Sequence, residues 1–410
     1  MTKHGLSRRP RAGACKTSKL ETETTTIADA PRPYQIAVPQ QKLDQIRAKL
    51  EAATITYAPD DDSGWRYGTD AAYLKSFIEH WLAQYDWRAA EARLNAVPQF
   101  KAEVDGIDIH FQHIKGVGPN PMPLVLTHGW PGSIYEFHKV IGPLSDPSRF
   151  GGDPHDAFEL VVPSLPGYGF SSRPDRPIGP RRTAELWKKL MTETLGYQRY
   201  GIQGGDWGSF VSSWLAADGP QHAIGVHINL FMALLPPNTD EEELAWIRKS
   251  EAMRAQEAAY QLEQATKPQT IGIALADSPA GFAGWVLEKF QSWADTEGDI
   301  ESRFSKDELI TNLMIYLVND AVASSIWLYY GRQQETMSGK AGAFHTAVPT
   351  GCALYPAEMF PWPPRKVVER FYNVVHWAEM KAGGHFAAFE EPEAFVEDLR
   401  TFFRPLRTAA

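Results

Sequence analysis

Apolar residues recur at spacings of three and four in two early segments. Leu43, Ile46 and Leu50 mark a helix over residues 41–52, and Leu74, Phe77, Ile78 and Trp81 mark another over 73–85. Stripes of this kind set one helix face against a core. From about residue 104 the rhythm changes. Residues 104–114 alternate apolar and polar around the Asp105-Gly106 turn. Short apolar runs follow at 124–127, 158–162, 201–203 and 224–230, with a helical stretch at 183–195. Strands separated by helices predict a mostly parallel sheet with helices on both faces.

At about residue 232 the alternation stops. Thr239 or Asp240 can cap a helix whose first turn holds Glu241, Glu242 and Glu243, charges that suit a helix N-terminus. Ser305-Lys306-Asp307-Glu308 forms a capping box ahead of Leu309, Leu313, Tyr316 and Leu317. Residues 232–345 therefore read as a helical insertion. Strands resume at 348–354 and 374–379, with a helix over 365–372 between them, and a helix over 393–403 closes the chain. The expected division is a tail (1–32), an N-terminal arm (33–103), the first part of an α/β core (104–231), a helical lid (232–345) and the second part of the core (346–410).

Composition narrows the classes. Of 410 residues, 43% are hydrophobic and 22% charged, which supports a large core and excludes wholesale disorder. No run approaches ~20 apolar residues, so no membrane-spanning helix is expected. The net charge of -9 argues against a nucleic-acid partner. Two cysteines, Cys15 and Cys352, make no disulfide framework and point to a reducing, cytoplasmic location. The first 30 residues carry Arg8, Arg9, Arg11, Lys16 and Lys19 without the apolar stretch of a secretory signal. Thirteen Trp, 15 Tyr and 20 Phe suit a pocket for an apolar small molecule.

The chemistry begins at Gly204-Gly205-Asp206-Trp207-Gly208, between an apolar strand and a helical pattern. A small-X-nucleophile-X-Gly turn in that setting is the nucleophile elbow of the α/β-hydrolase fold. Its centre is usually Ser; here it is Asp206. A carboxylate attacking a carbonyl would give an anhydride, a poor route to ester hydrolysis. Attack on a saturated carbon gives an alkyl ester that water can split. An epoxide oxygen or a halide is a suitable leaving group. The competing structural role for Asp206 is a plain helix N-cap.

His128-Gly129-Trp130-Pro131-Gly132-Ser133 follows the strand at 124–127. In this fold an oxyanion hole uses one amide from that loop and the amide after the nucleophile, which assigns the backbone N–H groups of Trp130 and Trp207. Their side chains are candidates for the pocket wall. Gly383-Gly384-His385-Phe386 puts His385 late in the chain, in the order nucleophile, acid, His. Glu358, after the strand at 348–354, is the candidate acid that orients the imidazole; Glu379 is its rival. A basic leaving alkoxide needs a proton donor. The insertion offers Tyr260, Tyr316, Tyr329 and Tyr330, and spacing alone does not choose among them.

The chain resembles the epoxide hydrolases of the microsomal type over roughly residues 33–403. The resemblance rests on separated strings in one order: Ser63-Gly64-Trp65-Arg66-Tyr67-Gly68, Tyr85-Asp86-Trp87-Arg88, the loop at 128–133, Leu165-Pro166-Gly167-Tyr168-Gly169-Phe170-Ser171, the elbow, Asp277-Ser278-Pro279-Ala280-Gly281, Pro356-Ala357-Glu358 and Gly383-Gly384-His385-Phe386-Ala387-Ala388-Phe389. It implies Asp206 as nucleophile, His385 as base and Glu358 as its partner. It implies Tyr260 and Tyr329 as the lid pair that donates to the epoxide oxygen, with Tyr330 the alternative to Tyr329. It further implies a small apolar epoxide as substrate, a vicinal diol as product, no cofactor and no metal, and an arm that packs on the lid and often supports a homodimer.

Two departures stand out. Mammalian members carry an apolar N-terminal anchor where this chain has a polar tail, so membrane attachment is not carried over. Ala259 stands before the first lid tyrosine, where Gly is common. Two alternatives to the epoxide hydrolase reading are a haloalkane dehalogenase, which shares the Asp elbow, and a catalytically idle fold member that binds an apolar ligand.

Overall fold

The computed structural model describes residues 30–61, 64–231, 240–340 and 344–409. Most of the expected tail, Cys15, Ser63, Thr239 and the start of the expected lid lie outside the described residues.

Among the described residues nine strands form one sheet. They are β1 (Arg32–Pro33), β2 (Gln99–Val104), β3 (Ile107–Ile114), β4 (Met122–Thr127), β5 (Phe158–Pro163), β6 (Tyr200–Gly204), β7 (Ala223–Ile228), β8 (Thr346–Leu354) and β9 (Tyr372–Glu379). Their order is β1-β2-β3-β5-β4-β6-β7-β8-β9. The pairs from β1 to β5 are antiparallel, and those from β5 through β4 to β9 are parallel. This is the mostly parallel sheet expected from the strand–helix rhythm, in the α/β-hydrolase architecture expected from the elbow.

The chain steps from β4 to β5 in one direction and from β5 to β6 in the other. The carboxyl ends of β4 and β6 therefore flank a point where strand order reverses, and such crevices hold ligands in open α/β sheets. Thr127 and Gly204 are register partners there. The loops leaving them carry Trp130 and Asp206.

Side chains on β4 alternate between two apolar clusters. Val125 joins the larger, with Val161, Ile202 and Val226; Leu124 and Leu126 join the smaller, with Leu160, Val162 and Ile224. A period of two places these sets on opposite sheet faces. Each fully buried side chain of this kind stabilises the fold by roughly 2 kcal/mol.

The insertion between β7 and β8 is helical. Asp240 caps Glu241–Glu257 by accepting from the Glu243 amide, and the capping box at Ser305 is present on Lys306–Leu317. The N-terminal helices Gln40–Glu51 and Ala71–Ala83 pack against this lid. Tyr85 Oη lies 3.0 Å from Thr311 Oγ1, and His80 Nε2 lies 2.7 Å from Asp307 Oδ1. Among the described residues, no single helix is long and apolar enough to cross a membrane.

Three expectations need correction. The boundary at 103/104 falls inside the β2–β3 hairpin, where Val104 pairs with Ile107; β1 and β2 belong to the sheet, not to a separate arm. Lys101 and Glu103 had masked the start of β2. The helix expected over 365–372 is the single turn Arg365–Val368, because Tyr372 is already paired with Thr346 in β9. The helix expected over 183–195 runs as Pro180–Lys189 and then widens into a π turn, Leu190–Thr194.

Candidate active site

The elbow follows from small residues at its corners. Asp206 has φ 46 and ψ -125, a conformation that a side chain adopts only under constraint. A Cβ added to Gly204 would overlap the Gly208 backbone, and one added to Gly208 would overlap the Thr127 carbonyl. Only glycine lets the strand, the turn and the helix Trp207–Asp218 approach this closely. Asp206 stands at the N-cap of that helix, yet its side chain makes no capping hydrogen bond. Its Oδ1 accepts instead from the Trp130 amide at 2.8 Å. The N-cap role considered for Asp206 is not what the structure shows.

The Trp130 loop is held from the lid. Asn312 Nδ2 donates to the Pro131 carbonyl at 2.8 Å, Ser133 Oγ donates to Asn312 Oδ1 at 2.8 Å, and Tyr316 Oη donates to the Gly132 carbonyl. All three bonds are buried. Tyr316 is therefore committed to the loop and drops out as a proton donor. The Trp207 amide, the other expected oxyanion donor, starts the helix; no hydrogen bond from it to Asp206 is formed.

His385 faces Asp206 from the loop after β9. Its Nδ1 lies 3.1 Å from both Glu358 carboxylate oxygens, and its Nε2 lies 3.5 Å from Asp206 Oδ2. Burial alone would push the imidazole pKa down. The charges of Glu358 and Asp206 outweigh it and hold the value well above the ordinary range. The rival acid, Glu379, is exposed at the end of β9.

Tyr260 and Tyr329 are buried at 5% and 3% exposure. The Tyr260 ring stacks on Trp130 at 5.6 Å, and Tyr329 meets Trp207 edge-on at 4.6 Å. The two tyrosine rings lie 5.9 Å apart. Burial first, and then the Asp206 charge, pushes the Tyr260 phenol well above its ordinary pKa; burial, Tyr260 and Asp206 do the same to Tyr329. Both stay protonated at neutral pH. Tyr329 Oη makes no hydrogen bond among the described residues. Tyr330, one position on, is half-buried on another helix face.

Comparisons with known proteins give the family. Residues 31–137 match the epoxide hydrolase N-terminus family, and residues 122–264 match the α/β hydrolase fold family. A Stigmatella aurantiaca (strain DW4/3-1) protein with epoxide hydrolase in its name is 41% identical, over 92% of this chain and 85% of its own length. Epoxide hydrolase 1 of Sus scrofa is 36% identical, over 90% of this chain and 88% of its own. The crystal structure of juvenile hormone epoxide hydrolase from Bombyx mori superposes with a TM-score of 0.84 at 30% identity, covering 94% of this chain and 97% of that one. The chain belongs to the epoxide hydrolase family. That membership sets aside the haloalkane dehalogenase alternative.

In this family member two carboxyl groups matter to the site that sequence reasoning passed over. Glu390 accepts from the amides of Gly384 and Phe386, on either side of His385, at 2.9 and 2.8 Å. It also accepts from the Asp295 amide at 2.8 Å, tying the His385 loop to the lid. Burial, against those three donors, pushes its carboxyl up to about 7. Glu136 lines a small chamber together with Asp206 and His385. The available signal was position: each acid lies a few residues after a motif already singled out.

Proposed function

We propose that this chain converts an apolar epoxide and water to a vicinal diol through an alkyl ester on Asp206. One observation carries the reading. The Asp206 carboxylate lies between an amide on one oxygen and an imidazole near the other, with two buried phenols close by.

The geometry divides the work. Oδ1 is engaged by the Trp130 amide, so Oδ2 is the freer lone-pair donor for attack on a ring carbon. Tyr260 and Tyr329 hydrogen-bond to the ring oxygen, and one phenol gives it a proton as the C–O bond breaks. His385 Nε2 then takes a proton from water, whose oxygen adds to the ester carbonyl carbon. Oδ1 carries the resulting negative charge against the Trp130 amide, with the Trp207 amide as the proposed second donor. Collapse breaks the bond to the alkyl oxygen, which leaves as alkoxide and takes the proton from His385. The new carboxylic acid returns its proton to the tyrosinate. Glu358 holds the imidazole in line and stabilises its charged form. Trp130 and Trp207 supply flat apolar walls for the substrate.

Composition supports two further parts of the reading: a cytoplasmic location, from the scarcity of cysteine, and no nucleic-acid partner, from the acidic balance. The homodimer remains a proposal from the resemblance of the N-terminal arm.

The test is one turnover of styrene oxide in heavy-oxygen water with enzyme in excess. The label is expected in the peptide carrying residue 206 and not in the diol. Label in the diol alone removes the covalent route, and tight ligand binding with no turnover of any epoxide leaves an idle fold member.

A further inference from the structure

A small chamber borders the nucleophile, and polar residues form part of its wall. Asp206 and His385 line it together with the side chains of Glu136, Gln203 and Asn229. Among the described residues its lining includes neither lid tyrosine, nor any other residue of the lid. The space open to the centre of a water molecule is about 10 Å³, at the threshold for one water. Gln203 Nε2 donates to Asn229 Oδ1 at 3.0 Å, which turns the Asn229 amide nitrogen away from that bond and leaves it available as a donor. Gln203 Oε1 is buried without a hydrogen-bond partner.

Glu136 reaches this chamber along an unusual path. A Cβ on Gly132 would overlap Glu136 Oε1, so the glycine of the Trp-Pro-Gly turn is what lets the carboxyl fold back. Among the described residues no Lys or Arg forms an ion pair with Glu136. Burial pushes its carboxyl up to about 8; the nearby Asp206 charge adds to that, while His385 and the Gly129 amide oppose it. At neutral pH it is mainly the neutral acid, with one O–H to donate and oxygens that accept.

We propose that this chamber is the seat of the hydrolytic water, and that Glu136 is a positioning residue that holds the water between His385 and the Asp206 ester carbon. The inference rests on Asp206 being the alkylated residue. The ester step needs one water within reach of two groups at once: Nε2 of His385, which takes the proton, and Cγ of Asp206, which receives the oxygen. Both residues line the chamber. Because no lid residue closes it, water occupies it while the alkyl group fills the lid side. The second half-reaction then needs no reopening of the lid.

The experiment separates the two half-reactions. Rapid-quench intact mass with styrene oxide gives the rate of ester formation and the rate of its decay. In Glu136→Leu the chamber loses its acid and its space. Ester formation is expected to stay within about threefold of wild type, while decay slows by about a hundredfold, the scale of a misplaced reactant. In Glu136→Gln, which keeps both size and hydrogen bonding, decay is expected to recover to within about tenfold of wild type. Should the leucine variant fail to fold, Glu136→Ser is expected to show the same split in the two rates. Equal loss of both rates, or unchanged decay in the Leu or Ser variant, overturns the proposal. Failure of wild-type enzyme and of His385→Gln to form any adduct at residue 206 is a different result, and it overturns the covalent reading instead.

Discussion

The Trp130 amide donates to Asp206 Oδ1 at 2.8 Å, so the two oxygens of this carboxylate are not equivalent. An asparagine at 206 keeps an oxygen for that amide and replaces the free oxygen by a nitrogen with no basic lone pair. Asp206→Asn is therefore expected to fold as wild type and to lose diol formation by about 10⁴-fold or more. Circular dichroism, melting temperature and diol yield from styrene oxide check it. Sustained turnover in a sample shown by mass to be free of deamidation removes the nucleophile assignment.

The charge state of His385 changes along the reaction. In the resting enzyme Glu358 and Asp206 together outweigh burial and keep the imidazole protonated. Alkylation turns Asp206 into a neutral ester and removes one of those influences. The imidazole pKa then falls and its proton passes to solvent, which frees the base when it is needed. Ester decay requires the neutral form, so its rate rises with pH and levels off above that lowered pKa. Its midpoint is expected below that of His385 in the resting enzyme, followed by NMR over roughly pH 5 to 9. Coincident midpoints contradict the linkage. In His385→Gln the same step has no base, and the mass of enzyme plus substrate is expected to accumulate.

Either phenol can steady the ring oxygen while the other protonates it. Tyr260 and Tyr329 are both buried within 5.9 Å ring to ring, and both are kept protonated in part by the Asp206 charge. Single Phe variants are expected to slow ester formation by about ten- to a hundredfold, and the double variant by about 10³-fold or more. A double variant with wild-type ester formation would move the role to Tyr330, the half-buried neighbour.

Local features of this molecule were legible in the sequence. The elbow at Asp206, the capping box at Ser305 and the alternation around the Asp105-Gly106 turn depend on residues close in sequence. What depends on packing was not. Tyr329 and Tyr330 differ only in which helix face meets Trp207, and resemblance rather than spacing chose between them. Tyr316 looked equivalent to Tyr260 until its hydrogen bond to the Gly132 carbonyl was seen. Glu390 reads as one more acid before a proline-led helix, and only the folded loop shows it gripping the amides beside His385. The strand β2 was hidden because Lys101 and Glu103 lie on its more accessible face, and the helix at 365–372 was overdrawn because sheet pairing claimed Tyr372.

Backbone strain at the nucleophile is separable from its chemistry. Asp206 has φ 46 and ψ -125, a region that costs a residue with a Cβ about 1–3 kcal/mol and costs glycine little. Asp206→Ala and Asp206→Gly both delete the carboxylate and its bond to the Trp130 amide, so those losses cancel in the comparison. Glycine also adds freedom to the unfolded chain, worth roughly 0.5–1 kcal/mol against it. The relief of strain is the larger of the two, and Asp206→Gly is expected to be more stable than Asp206→Ala by about 1 kcal/mol, with both inactive. Urea unfolding of the two variants, with equal slopes, measures the difference. A glycine variant less stable than the alanine variant would mean that the elbow is relaxed, and that the nucleophile is presented without stored strain.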